Sequence, residues 1–233
     1  MRERKRDMNS YEIKSYEDIR DSLRVRVMDI KENAETLQNA VYEPVGCGLA
    51  LVAYMELPDE IAEGGIANVP RGLIEKMPDV DAGKVLEDAM EGSIGSDDVK
   101  LCAIQDMLMG PILGEEPENY LESDRTPEEG VLVLTTGKGR LGASALFYPE
   151  MDIEIGKRLG RDYYVLPSSV HEVLIMPDNG QMTPMELAKM VKEINESQVA
   201  PQDRLCNKVF RFHVETNELT VAADPDRRRE MER

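Results

Sequence analysis

Short apolar segments with the two-residue alternation of β-strands recur along this chain, and single helical stripes separate them in no regular order. Strands are predicted at residues 49–55, 66–69, 131–134, 143–148, 163–166 and 170–176, and a closing hairpin at 210–221. A doubly wound parallel sheet requires a repeated strand–helix–strand rhythm, which this pattern lacks. We therefore predict an α+β fold with mixed, largely antiparallel sheets and packed helices.

Three helix predictions rest on spacing and on capping residues. Apolar residues spaced three and four apart predict an amphipathic helix of about six turns over residues 19–37. Another helix is expected to be capped by Ser96 and to reach residue 109. The clearest start is a capping box formed by Thr183 and Glu186, with Pro184 at the first helical position.

The chain is expected to consist of two halves joined by a linker. We predict a helix-led N-terminal half at 1–114, an acidic Pro/Gly-rich linker at 115–130, a C-terminal α+β half at 131–223 and a charged tail at 224–233. A weak echo relates the halves, because two strands followed by a proline-started helix are predicted at Pro70 and again at Pro149.

The charge balance restricts the classes of partner. There are 46 acidic side chains against 28 Lys and Arg, which gives a formal net charge of -18. Such a surface repels phosphate backbones and anionic lipids, so nucleic-acid and membrane-surface binding are not expected. The chain opens with charged residues and no apolar stretch follows them, which predicts a cytoplasmic protein.

Neither a metal nor a cofactor is predicted. The three cysteines, Cys47, Cys102 and Cys206, are widely spaced and form no CxxC pair, so we expect reduced, mostly buried thiols. The only two histidines are His171 and His213, and they lie in no metal-binding helical motif.

One glycine motif resembles a phosphate-binding loop in its letters alone. Residues 137–142 spell G-x-G-x-x-G after a predicted strand. Phosphate binding by such a loop requires a helix next, whereas residues 143–148 are predicted to form a strand. A hairpin turn is the favoured interpretation of the motif.

The stretch from Leu166 to Glu172 holds the most suggestive chemistry. Ser168, Ser169, His171 and Glu172 could form a hydrolase site in which either serine is the nucleophile. On a strand, however, Ser169 and His171 share one face and Glu172 lies on the other, and no residue is identified that would orient the histidine. The favoured interpretation is a structural corner, since Pro167 interrupts the strand and the serines can bind exposed backbone.

The same region carries a family resemblance. The stretch YYVLPSSVHEVLIMP at 163–177, followed by INESQVAP at 194–201, resembles the C-terminal signature of an uncharacterised domain-of-unknown-function family of anaerobic gut bacteria. The resemblance extends more loosely over residues 16–222. Members of that family usually carry a further N-terminal segment, in place of which this chain has a short basic tail. The resemblance implies no assigned activity, cofactor or catalytic residue.

Three hypotheses of function follow. The leading one is a cytoplasmic protein-interaction or regulatory module without catalysis, whose partner is a protein. The alternative is a hydrolase that uses Ser168 or Ser169 with His171 and Glu172. The third is a nucleic-acid mimic, which rests on the acidic charge alone.

Overall fold

Two antiparallel sheets form the framework of the protein in the computed structural model, which describes residue 13 and residues 15–127, 130–167 and 169–227. The first sheet contains β1 (Leu23–Asp29), β2 (Tyr42–Gly46), β3 (Leu49–Glu56) and β4 (Ile66–Asn68). Strand β3 is its centre, with β1 on one side and with β2 and β4 on the other. Its side chains are buried from Leu49 to Met55 because both faces of the strand are covered.

The second sheet has six strands in the order β10-β9-β7-β8-β6-β5. They are β5 (Val99–Ala103), β6 (Leu132–Thr136), β7 (Tyr163–Leu166), β8 (Val173–Pro177), β9 (Val209–His213) and β10 (Glu218–Ala223). Every pairing between these strands is antiparallel. The α+β prediction is confirmed.

The helices lie around the sheets. They are α1 (Glu17–Arg20), α2 (Ala34–Leu37), α3 (Arg71–Ile74), α4 (Ala82–Ser96), α5 (Ile104–Leu113), α6 (Met151–Leu159) and α7 (Pro184–Ser197). The α7 prediction is confirmed in detail, since Thr183 and Glu186 form the complete capping box ahead of Pro184.

The long helix predicted over residues 19–37 is wrong, because its centre is strand β1. Leu23 and Val27 are four residues apart, a spacing that fits both a helix and a strand. Val25 lies between them and is equally buried, which only a two-residue period allows. Pairing with the apolar strand β3 then favours the extended form, which suits the β-branched Val25 and Val27.

Two further predictions are corrected. Ser96 ends α4 rather than capping a new helix, and β5 lies between α4 and α5 because Leu101 and Cys102 are buried in the second sheet. Residues 142–147 form a 3₁₀ helix where a strand was predicted. Their small side chains let this tight turn pack between β1 and β6, so the second hairpin of the predicted echo is absent.

One large apolar cluster connects both sheets. It combines β1 and β3 with β6, β7 and β9, and it includes Val85 of α4, Ile155 of α6 and Leu146 of the 3₁₀ helix. Tyr163 and Phe212 stack inside it with ring centroids 5.1 Å apart. Strand β5 lies before the predicted linker and pairs with β6, which follows it. The division into two halves at 115–130 stays a prediction.

Candidate functional site

Three of the predicted site residues, Ser169, His171 and Glu172, lie in a corner between β7 and β8, here called the His171 junction (residues 166–167 and 169–172). The corner is hydrogen-bonded to a neighbouring segment at two points. The Val170 N–H donates to the carbonyl of Asp203 at 2.8 Å, and the Cys206 N–H donates to the carbonyl of Pro167 at 3.1 Å. These bonds satisfy backbone groups that the interrupted strand leaves unpaired.

The His171 ring is engaged at both nitrogens. Its Nδ1 accepts a hydrogen bond from the Leu141 N–H at 3.2 Å, so this nitrogen carries no proton. The neutral ring is therefore protonated at Nε2, which lies 3.4 Å from a carboxylate oxygen of Asp203. Leu141 has a left-handed backbone with φ of 56°, a conformation that is costly for leucine. The ring thus holds a strained turn in place.

The serine and the histidine do not form a nucleophile–base pair in this arrangement. The Ser169 hydroxyl is buried and accepts a hydrogen bond from the His171 backbone N–H at 3.0 Å, rather than donating to the ring. Glu172 forms no hydrogen bond or ion pair with any residue in the described part of the chain. Ser168 lies outside the described residues. The geometry supports a structural corner more than a hydrolase.

The glycine motif at 137–142 meets the same corner. A β-carbon at Gly142 would lie 2.7 Å from the carbonyl oxygen of His171 and 2.7 Å from the backbone nitrogen of Thr136. No side chain fits at that distance, so glycine permits the loop to touch both strands. The motif leads into the 3₁₀ helix, and its last glycine serves this close packing.

Helix α7 connects to the junction through a buried amide. Asn195 is 1% exposed, and its side chain donates to the Cys206 carbonyl at 3.1 Å and to the Asn207 side chain at 2.8 Å. Cys206 in turn bonds to the junction through its N–H. The two stretches that carry the family resemblance are therefore joined into one structural unit.

A second candidate site is an apolar surface on helix α5, here called the α5 surface (Leu108, Met109, Ile112 and Leu113). These side chains are 67%, 49%, 76% and 61% exposed, respectively. Monomeric proteins seldom leave adjacent large apolar side chains in water, so this patch is a candidate interaction site. The sequence prediction stopped this helix at residue 109 and missed the surface, although the run MLMGPIL carries no charged residue.

Helix α5 contributes almost nothing to the interior. Gly110 is its one buried residue, and none of its large apolar side chains belongs to an apolar cluster among the described residues. A β-carbon at Gly110 would lie 2.6 Å from the carbonyl oxygen of Glu115, so the following chain folds tightly against the helix. The helix is held by its neighbours in sequence, and its apolar side chains are left outside.

The sequence around the α5 surface is acidic from residue 101 to residue 124, and the nearest preceding cation is Lys100, which interacts with Glu116. Residues 101–124 contain no Lys or Arg. Their acidic residues are Asp106, Glu115, Glu116, Glu118, Glu122 and Asp124. Asp106, Glu115 and Glu116 are exposed beside the apolar side chains. The surface therefore combines an apolar centre with a negative rim, an arrangement typical of sites that select a basic partner.

The described residues offer little to a metal ion. They contain no group of three or more His, Cys, Asp or Glu side chains that could hold one. Burial raises the pKa of each thiol, that of Cys206 to about 12, so the metal-binding thiolate forms are disfavoured. Within the same residues, no helix is long and apolar enough to cross a membrane.

Comparison with known proteins places the chain in a family without assigning it an activity. The model of a family of unknown function, DUF5688, matches residues 1–213, and the chain belongs to that family. No curated protein and no solved structure matches the chain.

Proposed function

We propose that this protein is a cytoplasmic interaction module without catalysis, and that it binds a partner protein through the α5 surface. The partner segment is amphipathic, with apolar residues that cover Leu108 and Ile112 and with Lys or Arg beside them. The single observation that carries this proposal is an apolar helix whose large side chains contribute to no core in the described chain.

Burial of these side chains supplies the driving force for binding. Complete burial of one Leu or Ile side chain contributes about 1.5–3 kcal/mol, so two or three suffice for a specific contact after the entropic cost of association. The acidic rim then selects among apolar partners. A second copy of this chain would bring the same carboxylates together, and like charges at an interface oppose association.

The test is a titration with a helical peptide that carries a leucine stripe and flanking lysines. A matched peptide has glutamate in place of each lysine. We expect the lysine peptide alone to bind, and salt to weaken it. Replacing Leu108 and Ile112 together by serine should weaken binding by about tenfold or more. The control is Ile94→Ser, because Ile94 is a comparably exposed residue on α4 at 46%.

Three outcomes would contradict the proposal. One is equal binding of both peptides, and another is equal binding by the Leu108/Ile112 variant and the wild type. The third is a wild-type dimer in light scattering that the double substitution dissociates, which would make a second copy the occupant of the α5 surface.

Two variants distinguish a structural role of His171 from the hydrolase alternative. His171→Ala removes the acceptor of the Leu141 N–H and the partner of Asp203, so we expect a loss of about 1 kcal/mol of unfolding free energy in urea. Glu172→Ala is the control and should stay within about 0.5 kcal/mol of the wild type. A His171→Ala protein of unchanged stability that loses a hydrolase activity of the wild type would restore the hydrolase hypothesis.

A further inference from the structure

A cavity of about 300 Å³ lies between the first sheet and the His171 junction. Its walls come from β1, from the loop that precedes the 3₁₀ helix, from the His171 junction and from residues 202–205. Three arginines line it, namely Arg26, Arg140 and Arg204. We call it the arginine cavity. Arg26 and Arg204 are partly buried there, whereas Arg140 is exposed at the edge of the cavity.

None of these arginines forms an ion pair with a described residue, and each bonds to a neutral oxygen instead. Arg26 donates to the Asn68 side chain at 2.7 Å, Arg140 to the Gly64 carbonyl at 3.2 Å and Arg204 to the Val199 carbonyl at 2.9 Å. The Arg26 Nε is buried and has no hydrogen-bond partner. Each guanidinium thus uses one nitrogen in a hydrogen bond to the described chain and keeps further N–H donors and its charge.

Two carboxylates, those of Asp29 and Asp203, lie in the cavity wall, and neither forms an ion pair with the three arginines. Asp29 is 2.9 Å from the Lys208 ammonium and accepts from the N–H groups of Lys31 and Glu32. Asp203 faces the His171 ring. The wall therefore holds three guanidinium groups and two carboxylates, and one of the carboxylates is already paired with Lys208.

Uncompensated guanidinium groups destabilise a fold. Burial lowers the pKa of Arg26, which shows that its surroundings disfavour the charged form. A methionine would fill much the same space on β1 without that cost. Residues that lower stability without an internal partner are typical of binding sites.

We propose that the arginine cavity binds a small oxyanion, that is, the phosphoryl or carboxylate groups of a low-molecular-weight ligand. Guanidinium groups match both kinds of anion through paired N–H donors, and the volume suits a small ligand rather than a polymer. A neighbouring cavity of about 380 Å³ shares Ile66, Arg140 and Leu141 with it and gives room for the rest of the molecule. This site is separate from the α5 surface and does not depend on it.

The experiment measures binding of pyrophosphate and of citrate by calorimetry, at an ionic strength held constant with sodium chloride. Pyrophosphate tests phosphoryl groups and citrate tests carboxylates. We expect at least one to bind and to raise the melting temperature. Arg26→Met and Arg140→Gln should each weaken binding by about tenfold or more, since each removes charged hydrogen bonds. The control is Arg125→Gln, which removes the same charge from an exposed side chain outside the cavity.

A second readout distinguishes a binding role from a structural one. Without ligand, Arg26→Met should melt at or above the wild-type temperature, because it removes an uncompensated charge, and added anion should no longer raise the value. Failure of both anions to bind the wild type would overturn the proposal. So would an equal loss of binding in Arg125→Gln, or an Arg26→Met protein that is less stable without ligand.

Discussion

Helices α5 and α7 carry similar numbers of large apolar side chains but place them in opposite environments. In α7 the apolar residues are spaced three and four apart, and Leu187, Ala188 and Val191 are all buried. In α5 they occur in runs, and only Gly110 is buried. The spacing of apolar residues, more than their number, therefore determines whether a helix can direct them into a core.

The two helices also differ in how firmly their ends are held by hydrogen bonds. The N–H groups at the start of α7 are capped by Thr183, and Asn195 near its end is bonded to the segment at 206–207. Helix α5 starts at Ile104 after Ala103, which supplies no side-chain cap, and the helix contains Pro111. Helix α7 is thus fixed by the fold, whereas α5 leaves its apolar side chains in water, where we propose that a partner binds.

The largest expected effect is the difference in stability between two variants, in each of which one leucine of α7 or of α5 is replaced by alanine. Leu187→Ala leaves a cavity in the core and should cost about 2–5 kcal/mol of unfolding free energy. Leu108→Ala removes a side chain that is 67% exposed and should change stability by no more than about 0.5 kcal/mol. Urea unfolding of both variants measures the difference. A large loss in the Leu108 variant would show that α5 packs within the monomer.

A smaller effect is expected at the start of α7. Thr183→Ala removes the side chain that accepts from the Glu186 N–H, and it should cost about 1 kcal/mol in the same assay. Thr126→Ala, at an exposed position of the predicted linker, is the matched control and should leave the unfolding midpoint unchanged. If the two variants were equally stable, the capping box would contribute nothing to the anchoring of α7.

The smallest effect is a pH dependence at the same cap. Hydrogen bonds from the Thr183 N–H and hydroxyl lower the pKa of Glu186 below its ordinary value. The pKa of Glu186 is therefore lower in the folded than in the unfolded state. The Glu186 carboxylate stabilises the fold at neutral pH, and this stabilisation is lost as pH falls through the folded-state pKa. The stability difference between wild type and Glu186→Ala should shrink below about pH 4. A difference that stays constant from neutral to acidic pH would contradict this assignment.

Much of the second sheet and of α7 could be predicted because local signals and burial agree there. Pro184 behind a Thr cap defines the start of α7, and alternating residues such as Phe210 and Phe212 define the closing hairpin. Strand β1 was missed because Leu23 and Val27 fit two periods at once. The choice between them depends on β3, which is more than twenty residues away in the sequence.

The sequence by itself determined the α+β class, the acidic charge and the corner at Pro167, since these follow from composition, local spacing and the missing N–H of proline. Only the tertiary structure decided what His171 contacts, which helix keeps its apolar side chains in water, and that Arg26, Arg140 and Arg204 line one cavity. The physical reason is distance along the chain. Local backbone preferences act over a few residues, whereas burial and charge pairing depend on which distant segments the sheets bring together.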